Sequence, residues 1–150
     1  MGFSPEIETL LDHAGRLCED KNARLTDLRR QVLGLILDSE QPTGAYDLLD
    51  RLRATRHGAA PPTVYRALEF LLGHGLIHKL ESRSAFVGCV SHGDAGHAAQ
   101  FLICETCGQV TELDDHDLAH ALRDAARKLG FTVGKATIEA EGRCALCARA

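Results

Sequence analysis

Two pairs of cysteines constrain the second half of this chain more than any other feature. They are Cys104 with Cys107 in "CETC" and Cys144 with Cys147 in "CALC", with 36 residues between the pairs. Two thiolates at this spacing can bind one ion from a tight turn, and two such turns complete the tetrahedron that zinc prefers. The separation exceeds the roughly 15–20 residues of a compact zinc ribbon. We therefore expect a strand, a helix and another strand between the pairs.

The four thiols have two other interpretations, a redox-active C-x-x-C motif or thiols that share no site. The N-terminus lacks a basic start followed by an apolar stretch, so we expect a cytoplasmic protein, in which clustered cysteines bind metal more often than they form disulfides. No apolar run approaches the roughly 18 residues of a membrane span. A structural zinc site is therefore the prediction.

The first half carries four helical patterns, in "PEIETLLDHAGRLCEDKN", "TDLRRQVLGLILDSE", "TGAYDLLDRLRAT" and "PTVYRALEFLLGHG". Thr26 and Thr43 are the predicted N-caps of the second and third helices, because a threonine hydroxyl can accept a hydrogen bond from the first turn. Two short strand patterns follow, "LIHKLES" and "AFVGCV", joined by a polar turn. Helices followed by a hairpin predict a winged helix-turn-helix.

The second half alternates differently, with strand patterns in "QFLIC", "QVTEL" and "FTVGKATIEAEG" around the amphipathic helix "DDHDLAHALRDAARKLG". Asp114 or Asp115 is the expected N-cap of that helix. The predicted fold class is α+β, with an N-terminal winged helix-turn-helix domain and a C-terminal α/β domain that holds the four-cysteine zinc site. We place the first domain at 1–88, a hinge at 89–97 and the second domain at 98–150.

Any DNA binding must use a local patch, because the formal net charge is -4. In "PPTVYRALEFL" the side chains of Thr63, Tyr65 and Arg66 lie off the apolar stripe, where they could reach phosphates and base edges in a major groove. Arg24 and Arg29 could flank this helix. The alternative is a solvated surface helix that binds nothing.

Five segments of the sequence resemble the ferric uptake regulator (Fur) superfamily, and most closely its zinc uptake regulator (Zur) branch. They are "RLTDLRRQVLGLI", "AYDLLDRL", "PPTVYRALEFLLGHGLIHKLES", "FLICETCGQVTEL" and "CALC", in the expected order over nearly the whole chain. The resemblance implies a homodimeric, zinc-responsive repressor that binds double-stranded operator DNA and controls zinc-uptake genes. It also implies two zinc ions per protomer and a dimerisation role for the second domain.

The resemblance further implies a regulatory zinc site at the hinge, with His78, Cys89, His97 and Glu112 as ligands. One thiolate, two imidazoles and one carboxylate are a reasonable tetrahedral zinc set. The soft thiolate argues against a hard-ligand manganese site, although it is compatible with iron or cobalt. A family sensor of iron, manganese or peroxide is therefore the alternative function.

Three more histidines leave open whether a further metal site exists. His92 could replace Glu112 or His97, or serve a third site, but we favour a solvated loop histidine. His116 and His120 are spaced i,i+4 and could belong to a third site, but an exposed helix face is the preferred interpretation.

Asp50 and Arg53 lie three residues apart on the third helix, away from its apolar face. They form either a local surface pair, worth a few tenths of a kcal/mol, or a contact with the same residues of a second dimer on adjacent DNA. Catalysis is not expected, because zinc deaminases need H-x-E together with P-C-x-x-C and neither cysteine pair follows a proline.

Overall fold

The computed structural model describes residues 2–89, 99–134 and 136–149. The chain divides into two compact units, Met1–Gly93 and Asp94–Ala150. All of the predicted hinge except Cys89 lies outside the described residues. Within the described ranges, no helix is long and apolar enough to span a membrane.

The first unit consists of four helices and a three-stranded sheet in its described part. The helices are α1 (Pro5–Asp20), α2 (Asp27–Leu37), α3 (Ala45–Arg53) and α4 (Pro61–Gly73). The strands are β1 (Thr43–Gly44), β2 (Ile77–Leu80) and β3 (Ala85–Gly88). Their order in the sheet is β1-β3-β2, and both pairings are antiparallel. The two predicted wing strands therefore form a hairpin, and the helices before it complete a winged helix-turn-helix.

Side-chain caps begin α1 and α2, whereas the predicted side-chain cap of α3 is not used. Ser4 Oγ accepts from the Ile7 amide, and Thr26 Oγ1 accepts from the Arg29 amide, each at 3.4 Å. The predicted cap at Thr43 is wrong, because α3 begins after Gly44. Thr43 instead belongs to β1, where it pairs with Phe86 of β3. The strand β1 is too short to give a sequence pattern.

Leucine, valine, isoleucine and alanine side chains fill the core of the first unit, where α2, α3 and α4 pack together. Leu11, Leu33, Leu48, Leu52 and Leu71 have no exposed surface. Burying one such side chain contributes about 1.5–3 kcal/mol, so the unit has an extensive apolar core of its own.

The second unit contains a three-stranded sheet and two helices in its described part. The strands are β4 (Ala99–Cys104), β5 (Val110–Leu113) and β6 (Thr137–Gly142), and the helices are α5 (His116–Lys128) and α6 (Ala145–Ala148). The central strand β4 pairs antiparallel with β5 and parallel with β6. The predicted α+β class is confirmed. The short helix α6 was not predicted, and β6 begins at Thr137, later than its pattern suggests.

A buried glutamine fixes where α5 begins. The side-chain amide of Gln100 on β4 donates to the Asp115 carbonyl at 2.9 Å, and its carbonyl accepts from the Asp115 amide at 3.2 Å. Asp115 then caps α5, since its Oδ1 accepts from the Leu118 amide at 3.0 Å. Of the two candidate caps, Asp115 is therefore the one used. Gly130, which follows the helix, has a φ of 70°, a left-handed conformation that favours glycine after a helix.

Candidate metal centre and DNA-binding surface

The four cysteines of the two C-x2-C pairs meet at one end of the second unit. Cys104 ends β4, Cys107 lies in the turn that follows, Cys144 caps α6 and Cys147 lies within α6. The four sulfur atoms all lie within 4.8 Å of one another. The sulfurs of Cys107 and Cys144 are 3.9 Å apart. This is the grouping that the spacing of the cysteines predicts.

Parallel pairing of β4 with β6 brings the two pairs together across the intervening residues. Cys104 lies opposite Gly142, and the Glu105 amide donates to the Gly142 carbonyl at 2.8 Å. The first turn closes when the Gly108 amide donates to the Cys104 carbonyl at 2.9 Å. Gly108 has a φ of 78°, which glycine adopts at no steric cost. The strand, helix and strand between the pairs thus return the chain to the same place.

The electrostatics of the cluster favour a bound cation. The pKa of Cys104 is lowered to about 6, because the backbone amides of Cys107 and Cys144 donate to its sulfur. The pKa of Cys147 is raised to about 12, because hydrogen bonds with the sulfurs of Cys144 and Cys104 stabilise its protonated form. Without a positive charge, the cluster stabilises one thiolate at the expense of another. A divalent ion would allow all four to ionise, and four thiolates suit zinc.

Of the predicted regulatory ligands, two are close neighbours within the first unit. His78 pairs with Val87 in the wing, and the Cys89 amide donates to the Leu76 carbonyl at 2.8 Å, which extends the ladder by one rung. His78 and Cys89 are therefore diagonal neighbours on one face of the hairpin. Their ligand atoms lie within 4.8 Å of each other, with His78 half-buried and Cys89 buried.

The other ligand candidates come from later segments of the chain. Glu112 is an exposed residue of β5 in the second unit, opposite Phe101 of β4. His97 and His92 lie outside the described residues. His116 and His120 are exposed on α5, where His120 Nε2 lies 3.1 Å from Asp124 Oδ2. Within the described ranges, neither joins a group of three or more side chains that could hold an ion.

The predicted DNA-binding residues differ in what they contact. On α4, Tyr65 is 47% exposed, Arg66 is exposed and Thr63 is half-buried. Arg29 is already engaged, because its guanidinium lies 3.8 Å over the ring of Phe70 and donates to the Arg24 carbonyl at 2.8 Å. Arg29 therefore supports the packing of α2 on α4. No pattern in the sequence predicts this stacking.

Arg53 also makes a contact that spacing does not reveal. Its Nε donates to the carbonyl of Ala59 at 3.0 Å. Ala59 lies at the end of the turn between α3 and α4. Only the folded turn brings these two groups together, so a helical wheel of α3 leaves Arg53 as a solvated surface residue.

One side of α5 leaves large apolar side chains in solvent. Leu118 and Leu122 are 39% and 38% exposed, and Phe131 beyond the helix is 65% exposed. None of the residues of α5, all of which are described, is buried. The predicted amphipathic pattern is present, but its apolar side stays partly exposed in the described part of the chain.

Comparison with known proteins identifies the family. The family model described as "Ferric uptake regulator family" matches residues 20–141. The chain belongs to this family. It is 41% identical to the zinc uptake regulation protein of Escherichia coli K12 over 140 residues, which cover 93% of this chain and 82% of the relative.

Two solved structures extend the likeness to three dimensions. A zinc uptake regulator complexed with zinc and DNA superimposes with a TM-score of 0.89 at 39% identity, covering 97% of each chain. The holo form of XcZur gives a TM-score of 0.83 at 44% identity, covering 95% of this chain and 99% of the other. Both share the winged helix-turn-helix and α/β architecture described above.

Proposed function

We propose that this chain is a zinc-responsive transcriptional repressor that binds operator DNA as a zinc-loaded homodimer and controls zinc-uptake genes in the cytoplasm. The observation that carries this proposal is the likeness to a regulator bound to both zinc and DNA, at 39% identity over 97% of each chain. The four-thiol cluster and the exposed side chains of α4 supply the corresponding chemistry in this chain.

The four cysteines Cys104, Cys107, Cys144 and Cys147 would hold a structural zinc ion. Closed thiolate sites bind with an apparent free energy of about 10–16 kcal/mol, much of which appears as folding stability. The four ligands come from β4, the turn after it and the end of the chain. Zinc would therefore fasten the C-terminal residues to the central strand of the sheet.

A second zinc ion would be the signal, bound by His78, Cys89, His97 and Glu112. Support comes from the diagonal placement of His78 and Cys89 on the wing, where an imidazole and a thiolate already lie within 4.8 Å. When bound, zinc supplies a tetrahedral centre that holds its ligands at fixed distances. His78 and Cys89 belong to the DNA-binding unit, whereas Glu112 belongs to the other. Occupancy would therefore restrict the movement of one unit against the other.

The second unit would form the dimer through the apolar side of α5. Leu118 and Leu122 on α5 are the exposed apolar side chains that a second copy would cover. A symmetric dimer would use the same surface of both copies. Its two α4 helices must then match successive major grooves, about 34–36 Å apart.

On each half-site, α4 would enter the major groove, with Tyr65 and Arg66 toward the bases and Thr63 near the backbone. Arg24 on the exposed loop before α2 would neutralise phosphate charge. A shift of the DNA-competent fraction from 1:99 to 99:1 requires about 5.5 kcal/mol of differential metal binding. By reciprocity, DNA must tighten zinc binding by the same factor.

Metal titration of DNA binding tests the proposal against its closest alternative, a sensor of iron, manganese or peroxide. The probe is a duplex selected from a random library by the zinc-loaded protein. We expect zinc to increase affinity for that duplex far more than iron(II) or manganese(II), with two zinc ions bound per protomer. Activation by iron or manganese at lower free concentration than zinc would reject the proposed signal. DNA binding that is unaffected by hydrogen peroxide would reject the peroxide alternative.

A further inference from the structure

The start of the recognition helix α4 is not fixed by its own side chains. Its N-cap is Ala60, which has no side-chain oxygen, and no side-chain hydrogen bond caps the helix. Pro61 and Pro62 occupy the first two helical positions and have no amide hydrogen. The core burial of Val64 and Ala67 holds the body of α4, whereas the backbone just before the helix depends on contacts of the preceding turn, residues 54–60.

Arg53 provides such a contact one residue before the N-cap of α4. It ends α3, and its Nε donates to the Ala59 carbonyl at 3.0 Å. Ala59 is buried, and its amide donates to the Arg56 carbonyl at 3.0 Å. Both backbone polar groups of Ala59 are thus paired, one of them by a charged donor, which makes a stronger hydrogen bond than a neutral one.

The same turn is held from α2. Arg56 Nε donates to the side-chain oxygen of Gln31 at 2.7 Å, and Gln31 Nε2 donates to Thr55 Oγ1 at 2.6 Å. These bonds fix the beginning of the turn, whereas the Arg53 bond fixes its end. Arg53 is therefore the side chain that reaches the residue adjoining the N-cap of α4.

We propose that Arg53 is a positioning residue for DNA recognition, which sets the start of α4 through its hydrogen bond to the Ala59 carbonyl. This inference rests on the proposed function, because it takes α4 to be the helix that reads DNA. Tyr65 and Arg66 lie within two turns of Ala60, between the buried residues Val64 and Ala67. Base-edge hydrogen bonds need distances of about 2.7–3.2 Å, so a small displacement of the helix start weakens them.

Asp50 supplies a matched control on the same helix. It is exposed, and the described part of the chain gives it no hydrogen bond or ion pair. If Asp50 and Arg53 instead contact a second dimer on adjacent DNA, replacement of either residue should weaken binding alike. If Arg53 positions α4, only the replacement of Arg53 matters.

The test uses the full-length zinc-loaded protein and two forms of the selected duplex, one long enough for two dimers and one shortened until it binds one dimer by sedimentation. Affinity is measured at several salt concentrations for the variants Arg53→Ala, Arg53→Lys and Asp50→Ala. We expect Arg53→Ala to bind about tenfold more weakly, since hydrogen bonds to charged groups are worth at least that factor. Arg53→Lys retains a donor and should recover most of the loss, and Asp50→Ala should stay within twofold.

Two results on DNA would overturn the inference. Equal losses for Arg53→Ala and Asp50→Ala that appear only on a duplex long enough for two dimers would assign both residues to contacts between dimers. A decrease of about one in the slope of log affinity against log salt for Arg53→Ala would assign Arg53 to a phosphate contact.

Hydrogen exchange without DNA separates this inference from the proposed function. In Arg53→Ala we expect faster amide exchange in residues 59–66, while exchange in the rest of the first unit stays unchanged. Arg53→Lys should show the same change to a smaller extent. Unchanged exchange in this segment would reject the positioning role. If the wild-type protein showed no zinc-dependent DNA binding, the proposed function would fail, while the exchange result would still decide how the turn is held.

Discussion

The two units of this protein are stabilised in different ways. In the first, apolar side chains from all four helices are buried together. In the second, the buried residues of the described part all lie on one strand, β4, and α5 buries none. Hydrophobic burial can therefore stabilise the first unit alone, whereas we propose that the second depends on zinc at its four-thiol cluster and on a partner surface. We propose that the two expected zinc ions have different roles, since the four-thiol cluster lies in the unit with few buried residues, whereas His78 and Cys89 lie in the unit with an extensive core.

Removing a structural ligand should have the largest effect and should be confined to the second unit. Cys104→Ser removes one of four thiolates, so we expect loss of that zinc and unfolding of residues 99–149, on the scale of the roughly 10–16 kcal/mol that such sites supply. Zinc content and hydrogen exchange measure this. Cys18→Ala is the matched control, because Cys18 is fully buried in the other unit and should leave zinc content unchanged. Normal hydrogen exchange in the second unit after loss of the zinc would contradict the proposed dependence of this unit on zinc.

A cavity in the first unit should destabilise that unit and leave the second unit unaffected. Leu48 has no exposed surface, and Leu48→Ala is expected to cost about 2–5 kcal/mol because it leaves a cavity in a close-packed core. In thermal unfolding of Leu48→Ala we expect two transitions. The first unit should unfold in the lower one, while the structural zinc stays bound. Release of that zinc at the same temperature would indicate that the units do not unfold separately.

The buried amide of Gln100 tests how α5 is held. Gln100→Leu keeps a similar volume but leaves the Asp115 amide and carbonyl without their partner, which costs about 1–3 kcal/mol. We expect faster hydrogen exchange at the start of α5 and a weaker dimer by sedimentation equilibrium. Gln109→Leu is the control, since Gln109 is exposed in the loop just before β5. Equal effects of the two variants would show that any loss of polarity weakens the unit.

The smallest effect should come from the ion pairs that attach α1 to α2. Arg30 lies 2.6 Å from Glu8 and 2.9 Å from Asp12, and its hydrogen bond lowers the pKa of Glu8 below its ordinary 4.5. A lowered pKa in the folded state contributes stability above pH 4.5, and this contribution is lost as the pH falls through the folded value. Glu8→Gln should remove that part of the acid dependence, as measured by amide exchange in α1 between pH 3 and 6. An unchanged acid dependence would mean that Glu8 adds nothing.

Much of this structure follows from sequence patterns, because they are governed by local chemistry. Apolar periodicity gives the helices, Thr26 and Asp115 are ordinary caps, and two C-x2-C pairs give the four-thiol cluster. The errors arose where tertiary contacts decide. Thr43 could cap a helix, but pairing with β3 draws it into a strand. Arg29 and Arg53 look like free surface charges, yet Phe70 and the Ala59 carbonyl hold them in place. No periodicity encodes such contacts, since the partners are far apart in sequence or belong to the backbone.

The proposed regulatory role of Cys89 is tested most directly by replacing this residue with serine. Zinc per protomer, thermal stability and affinity for the selected duplex are measured together for Cys89→Ser and the wild-type protein. We expect that one of two zinc ions is lost, that the four-cysteine zinc and the fold remain, and that affinity for the duplex falls at least tenfold. Zinc loss with undiminished DNA binding would contradict the proposed role.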